Sequence, residues 1–300
     1  MIIPNFVICG APKAGTSSLH TWIADHPEAL GSLEKETYYC VDLHTHMYRK
    51  NANISSGLKG YESFFSLKPG TKPHIILEST PAYMYYDTAL TQIPDLPSNP
   101  KCLFIIREPS QQIYSLFNYF QSNWSWIPAE LQFEDYLQML RKNVGKEQFG
   151  GNELAADALK NARYITFLDR WLSKLGPDRM MVRTFDELKM HPTHFVKQIA
   201  IWLGLDPAFY DTYHFPRDNE TYQVKNRLLQ KLNVKIRGKL PKGSAYNAVK
   251  DIYRKLNTTT PSTDRNLPHR ESLRQLATEY RDYNSELKAT FDLDLSGWKH

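Results

Sequence analysis

Three hundred residues suffice for one large α/β domain, or two small ones, with a substantial core. With 41% hydrophobic and 23% charged residues, the composition excludes a disordered chain, a collagen and a disulfide scaffold. A formal net charge of +5 and a pI near 8.9 suit an anionic ligand but are too mild for a nucleic-acid binder, and no DNA- or RNA-binding motif stands out.

The chain opens on Phe6-Val7-Ile8-Cys9-Gly10, an apolar run that predicts a buried strand. A turn containing Pro12 and Gly15 follows. Residues 16–25 then read as a helix with Leu19, Trp22 and Ile23 on one face, ending near His26-Pro27. Strand, tight loop and helix start in that order make an anion site, because the first N–H groups of a helix lack partners and its dipole favours negative charge. Lys13 adds a full charge, Ala14 and Gly15 add backbone, and Thr16, Ser17 and Ser18 add hydroxyls. The natural ligand is a phosphate. The loop is not the triphosphatase pattern G-x-x-x-x-G-K-[ST], since Thr16 follows Gly15 and the lysine lies two residues before that glycine. An ordinary strand-to-helix turn with a solvated lysine is the bland alternative.

Leu33 to Cys40 runs from charged residues into Tyr38 and Tyr39, and residues 41–70 read as loop and short helix. His74 to Glu78 predicts a second strand, leading into the polar turn Ser79 to Tyr83 at its carboxyl end, where open α/β sheets bind ligands. Lys101 to Ile106 is a third strand, ended by Arg107-Glu108-Pro109-Ser110. A helix follows, with Ile113, Leu116, Phe117 and Phe120 along one face. Residues 121–152 hold Trp124, Trp126, Phe133, Tyr136 and Phe149 in a polar setting, readable as a substrate-side lid or as ordinary helix packing. Tyr164 to Leu175 predicts a long helix, Met180 to Phe185 a fourth strand, His194 to Leu203 a helix closed by Gly204, and residues 268–289 a single amphipathic helix. Lys225, Arg227, Lys231, Lys235, Arg237, Lys239 and Lys242 crowd a stretch readable as a solvated face or as attraction for an anionic ligand. Strands alternating with helices, without a repeat or linker, imply one parallel-sheet α/β domain over residues 1–300.

No run of about 18 apolar residues occurs and the first strand is read to begin by Phe6, so neither a transmembrane helix nor a signal peptide is expected. The three cysteines, Cys9, Cys40 and Cys102, have no metal spacing and are odd in number, which predicts a reducing, cytoplasmic setting. A lumenal protein trimmed of its anchor would read the same way.

A second anion element strengthens the first. Arg107 leaves a strand at the same sheet edge as the loop, and Ser115 follows eight residues later, about two turns into the next helix. An arginine fork and a serine hydroxyl so placed could bracket one phosphate. The competing reading is that Arg107 pairs with Glu108 or caps the sheet edge, with Ser115 as plain helix surface.

The loop P-K-x-G-T-[ST]-[ST]-L resembles the 5′-phosphosulfate loop of sulfotransferases that use 3′-phosphoadenosine 5′-phosphosulfate (PAPS). Arg107-Glu108-Pro109 followed by Ser115 resembles their R-[DE]-P…S motif for the 3′-phosphate. Lys35-Glu36 followed by aromatics is similar to K-E-x-x-[FY][FY], and Glu78 to Tyr83 to E-x-[ST]-P-x-Y. Trp171, then Met181 to Leu188, resembles W-L…R-[VIL]…[YF]-E-[DE]-L, and the last helix with Trp298 also fits. The likeness covers most of residues 5–205 and 266–298, nearest the glycosaminoglycan and bacterial branch. It implies a three-layer α/β/α fold around a parallel sheet, like that of P-loop triphosphatases.

The resemblance further implies sulfuryl transfer from PAPS to a hydroxyl or amine of a small-molecule, lipid or glycan acceptor, without a metal ion. Lys13 would stabilise the departing phosphate. Glu36 would be the base, as the matching glutamate is in glycosaminoglycan-type relatives, with Glu78 or one of the ten histidines as alternatives. A base works best when its surroundings raise its pKa toward neutrality. Lys13 to Ser18, Arg107, Ser115 and Arg270 would hold the nucleotide, with Arg265 and His269 as further adenine-side candidates; Glu78, Tyr83 and Trp124 would face the acceptor. Ser79 stands where the glycosaminoglycan branch often has lysine, and no cysteine follows Cys102, which argues away from a heparan-type acceptor. A nucleotide kinase or triphosphatase with a degenerate loop, or a nucleotide-binding module without catalysis, are the competing classes. Oligomeric state is not readable.

Overall fold

A computed structural model describes residues 1–67, 70–216, 223–224, 258–259 and 269–298. The basic stretch from Lys225 to Lys242, and Arg265, lie outside the described residues. Contacts group the chain into two compact units. The first holds Met1–Gln112 and the described parts of Lys160–Asn219 and Leu276–His300. The second holds Ile113–Leu159 and the described parts of Glu220–Gln275.

The first unit is built on a five-stranded sheet: β1 (Phe6–Gly10), β2 (Ala29–Gly31), β3 (Ile75–Glu78), β4 (Lys101–Ile106) and β5 (Met180–Thr184), in the order β2-β3-β1-β4-β5. Every pairing is parallel. Parallel neighbours need crossovers, and helices covering both faces make the central strands apolar throughout. All five residues of β1 and the last five of β4 are buried accordingly. Strand β2 was not foreseen: three half-buried residues at the sheet edge carry no apolar run to read.

Helix α1 (Thr16–Ala24) follows β1, α2 (Leu58–Glu62) precedes β3, and α3 (Asp87–Gln92) lies between β3 and β4. After β4 come α4 (Pro109–Tyr119), α5 (Phe133–Arg141), α6 (Glu153–Ala156), α7 (Ala158–Asn161) and α8 (Tyr164–Leu175). After β5 come α9 (Phe185–Met190) and α10 (Pro192–Leu203). Helices α1 and α10 pack on one another, while α8 lies against β4 and β5 and touches α3. The expected C-terminal helix is two helices, Arg270–Glu279 and Arg281–Phe291, because Tyr280 leaves helical geometry at φ −97 and ψ 4 with its ring buried. Among the described residues no helix is long and apolar enough to cross a membrane.

The parallel arrangement puts the carboxyl ends of all five strands on one edge of the sheet. The chain runs from β1 to β2 and β3 on one side, then crosses to β4 and β5 on the other. The segments leaving β1 and β4 therefore diverge at a switch point, where such sheets open a crevice.

In the second unit, residues 121–152 pack as helix and turn. Phe133, Tyr136 and Phe149 are fully buried, and Phe117 stands 5.4 Å from Phe133 and 5.3 Å from Tyr136 between ring centroids. The Tyr136 hydroxyl donates to the Ala155 carbonyl at 2.6 Å. The packing alternative thus describes Phe133, Tyr136 and Phe149.

Candidate active site

The first half of the site grows from the end of β1. Its loop closes on Gly15, which caps α1 in the left-handed region (φ 83, ψ 9). Glycine is required there twice over. A side chain would be strained at that φ, and a Cβ would lie 3.0 Å from two ring carbons of Phe185. The Leu19 N–H bonds the Gly15 carbonyl at 3.2 Å, so the N–H groups of Thr16, Ser17 and Ser18 precede the helical ladder. No acidic residue occupies this first turn, leaving the positive end of the helix dipole unopposed by its own side chains.

Side chains from the β4 side brace the loop. Arg107 Nη1 donates to the Lys13 carbonyl at 3.4 Å, and its guanidinium lies 5.1 Å from the Phe185 ring centroid. Gln112 Nε2 donates to the Pro12 carbonyl at 3.2 Å. From the β2 side, Lys35 Nζ donates to Thr16 Oγ1 at 3.4 Å and to Glu36 Oε1 at 2.9 Å, while the Tyr38 hydroxyl donates to Glu36 Oε2. Lys13, Lys35, Arg107 and Glu36 thus share one sheet edge.

The charges bear on one another. Burial, then the Arg107 and Lys35 charges, lower Lys13 to about 8 against the opposing pull of Glu36. Burial also lowers Arg107, opposed by Tyr164, Glu108 and Asp186. Burial alone would raise Glu36, but Lys35, the Tyr38 hydroxyl and Lys13 together outweigh it and hold the carboxyl below its ordinary value. The raised pKa sought in a resting base is therefore not found. His20, buried on α1 with Nδ1 2.7 Å from Ser79 Oγ, is lowered to about 3 by burial and by Lys35, and stays neutral.

Two expected acceptor residues are corrected. Glu78 is fully buried, accepting from Thr37 Oγ1 at 2.9 Å, from Thr80 Oγ1 at 2.6 Å and from the Tyr61 hydroxyl. Tyr83 is equally buried, its hydroxyl accepting the Tyr39 N–H at 2.9 Å and the Cys40 N–H at 3.2 Å. Both pin the Thr37–Cys40 segment from inside and present no surface to an acceptor. In the second unit, Ser115 is half-buried on α4, and Trp124 is 38% exposed and stacked on Trp126 at 5.0 Å. Arg270 is exposed, beside His269, whose Nδ1 is 2.8 Å from Glu134 Oε1.

Sequence reading overlooked Lys35 as a bridge, Gln112 as a brace and Phe185 as a wall. Gln112 had a signal: it is a polar residue next to the apolar stripe of α4. Phe185 had none, because an aromatic at a strand end reads as core.

An anion cradle at the switch point of a parallel sheet, with a carboxylate beside it, places the chain among α/β proteins whose site suits a phosphorylated ligand. A family model described as "Sulfotransferase domain" matches residues 4–247, and the chain belongs to that family. It is 24% identical over 211 residues to human "Bifunctional heparan sulfate N-deacetylase/N-sulfotransferase 3", covering 69% of this chain and 23% of the relative. The corresponding mouse protein 4 is 22% identical over 208 residues, covering 69% and 23%. The chain thus spans about a quarter of these relatives' length. A solved sulfotransferase from Alicyclobacillus acidocaldarius matches over 100% of both chains with TM-score 0.64 and 18% identity, which supports the fold.

Proposed function

We propose that this chain transfers a sulfuryl group from PAPS to a hydroxyl or amine. The observation that carries the proposal is the convergence of Lys13, Lys35 and Arg107 on the loop at the start of α1, with one carboxylate, Glu36, hydrogen-bonded within it. The helix start and the Thr16, Ser17 and Ser18 hydroxyls fit a 5′-phosphate. Arg107, across the switch point, fits the 3′-phosphate. Ser115 is the motif's further candidate for that phosphate, and Arg270 its candidate near adenine.

The acceptor oxygen or nitrogen attacks sulfur in line. Its bond to sulfur forms as the bond from sulfur to the bridging phosphate oxygen breaks, and the leaving nucleotide keeps that electron pair. Positioning and charge stabilisation supply most of the rate, as in phosphoryl transfer. Lys13 faces the charge building on the departing phosphate. Glu36 takes the acceptor proton, and no metal ion takes part.

Membership in the family, and relatives named for heparan sulfate N-sulfotransfer, support a glycan among the small-molecule, lipid and glycan acceptors. Ser79 and the missing later cysteines distinguish this chain from that branch. The three unbridged, buried cysteines support a cytoplasmic setting, testable by fractionation.

The test is incubation with sulfur-labelled PAPS, in EDTA, against panels of glycans, hydroxylated lipids and phenols. Labelled product is expected from wild type, and Glu36→Gln is expected to bind nucleotide normally while losing turnover at least a hundredfold. Retained turnover in Glu36→Gln would move the base elsewhere. Nucleotide binding without transfer to any acceptor class would favour a non-catalytic module.

A further inference from the structure

Lys35 occupies a position that neither nucleotide binding nor proton transfer alone explains. Its ammonium is divided between the loop, at Thr16 Oγ1 (3.4 Å), and the candidate base, at Glu36 Oε1 (2.9 Å). Tyr38, held at a left-handed φ of 53, takes the other carboxylate oxygen. Both oxygens of Glu36 are thus engaged by neighbours of its own segment. A base so engaged is weakened: the adjacent cation favours the ionised carboxylate, and moving it away raises the proton affinity.

We infer that Lys35 couples donor binding to base activation, passing from Glu36 to the phosphosulfate as PAPS enters the loop. This rests on the sulfotransferase reading. Lysine suits the task, being a compact charge on a flexible four-carbon stem with three donors. With a 22% exposed side chain, Lys35 keeps room to turn. The arriving phosphate puts at least one full negative charge beside Thr16, so the ammonium gains a stronger partner there than a hydroxyl. Glu36 then loses its close cation and rises toward the range of a working base. Transfer becomes ordered, donor first, and the base is poised only when there is a sulfuryl group to move. Lys35 is a positioning residue in this scheme, acting through Glu36.

Among the described residues, charged and titratable groups bear on Glu36 from its own segment (Lys35 and Tyr38), from the loop (Lys13) and from α1 (His20). His20 is neutral throughout the working range. Lys13 is committed to the leaving phosphate. Among the described residues, Lys35 is the cation already shared between the loop and Glu36.

The experiment follows Glu36 directly. The protein is labelled at glutamate Cδ with carbon-13, and the Glu36 signal is identified by its loss in Glu36→Gln. Its titration is read in wild type, Lys35→Met, Lys35→Gln and Lys35→Arg, each with and without saturating 3′,5′-diphosphoadenosine, with calorimetry on the same samples. Wild type should show a ligand-induced rise in the Glu36 pKa. Lys35→Met and Lys35→Gln should start about 1–3 units higher and rise less on ligand binding. Lys35→Arg should restore the low starting value. Equal ligand-induced rises in wild type and both neutral variants would mean that the phosphate acts on Glu36 by its own repulsion, overturning the coupling. No rise in wild type despite calorimetric binding would overturn it too. Failure of wild type to bind the nucleotide at all would instead overturn the sulfotransferase reading.

Discussion

Lys13 stands close to Arg107 and Lys35, and desolvation first, then those two charges, lower its pKa to about 8. A phosphate in the loop would reverse that, so the bound state holds the proton more tightly than the free one. The sign follows: nucleotide affinity is full below pH 8 and falls as pH rises through it. Between pH 7 and pH 9 the dissociation constant of 3′,5′-diphosphoadenosine should weaken about tenfold. Lys13→Met should flatten that step and abolish turnover while the protein stays folded by circular dichroism. A wild-type affinity independent of pH over this range would remove Lys13 from the phosphate. Arg107 makes a separate claim. Arg107→Ala should cost 3′,5′-diphosphoadenosine about 1.5–3 kcal/mol more than it costs 5′-AMP, the value of a charge-assisted hydrogen bond to the extra phosphate. Equal losses by calorimetry would show that Arg107 braces the Lys13 carbonyl and reads no phosphate.

The element that carries the site is the β1 loop with the start of α1, and its geometry depends on Gly15. Gly15→Ala adds left-handed strain of about 1–2 kcal/mol and drives a methyl to 3.0 Å from the Phe185 ring, which must shift. Gly204 is the internal control. It has nearly the same backbone (φ 77, ψ 23), and there a Cβ meets the His74 imidazole at 3.3 Å. Both alanine variants should lower the melting temperature, but only Gly15→Ala should weaken nucleotide binding. Comparable affinity in the two would show that the Phe185 wall does not shape the loop. Much of this element was legible in the chain, because an apolar run, a turn holding Gly10, Pro12, Lys13 and Gly15, and a helical face follow one another within about twenty residues. The other side was less so. Lys35 and Glu36 reach the loop only because β2 pairs with β3, and a three-residue edge strand leaves no periodic trace. Glu78 and Tyr83 misled for the opposite reason. A carboxylate and a phenol at a strand's carboxyl end look like ligand groups, but each is drawn inward by three partners that lie outside its own strand or turn in sequence or that sit on neighbouring residues.

At the scale of the whole molecule, the family match ends at residue 247, yet the first unit continues beyond it. Leu276, Tyr280 and Leu287 are 0%, 3% and 1% exposed, so the two last helices are part of its core. Tyr283 lies under the Arg163 guanidinium at 5.3 Å, and Arg281–Phe291 packs on α8, itself against β4 and β5. The buried Trp298 donates from Nε1 to Asp186 Oδ2 at 3.0 Å. Asp186 follows Phe185, whose ring meets both Gly15 and Arg107, so the C-terminal residues stand behind the wall of the anion site. Each large apolar side chain returned to water costs about 1.5–3 kcal/mol, and four together match the whole stability of an ordinary domain. A chain stopped at residue 247 should therefore fail to unfold cooperatively and bind no nucleotide. Trp298→Ala in the full chain should be the milder version: about 3–5 kcal/mol less stable by denaturant titration, with weaker nucleotide binding at temperatures where it remains folded. If the truncated chain melted cooperatively and bound 3′,5′-diphosphoadenosine like wild type, the C-terminal helices would be an appendage, and the buttress behind Phe185 would have to lie elsewhere.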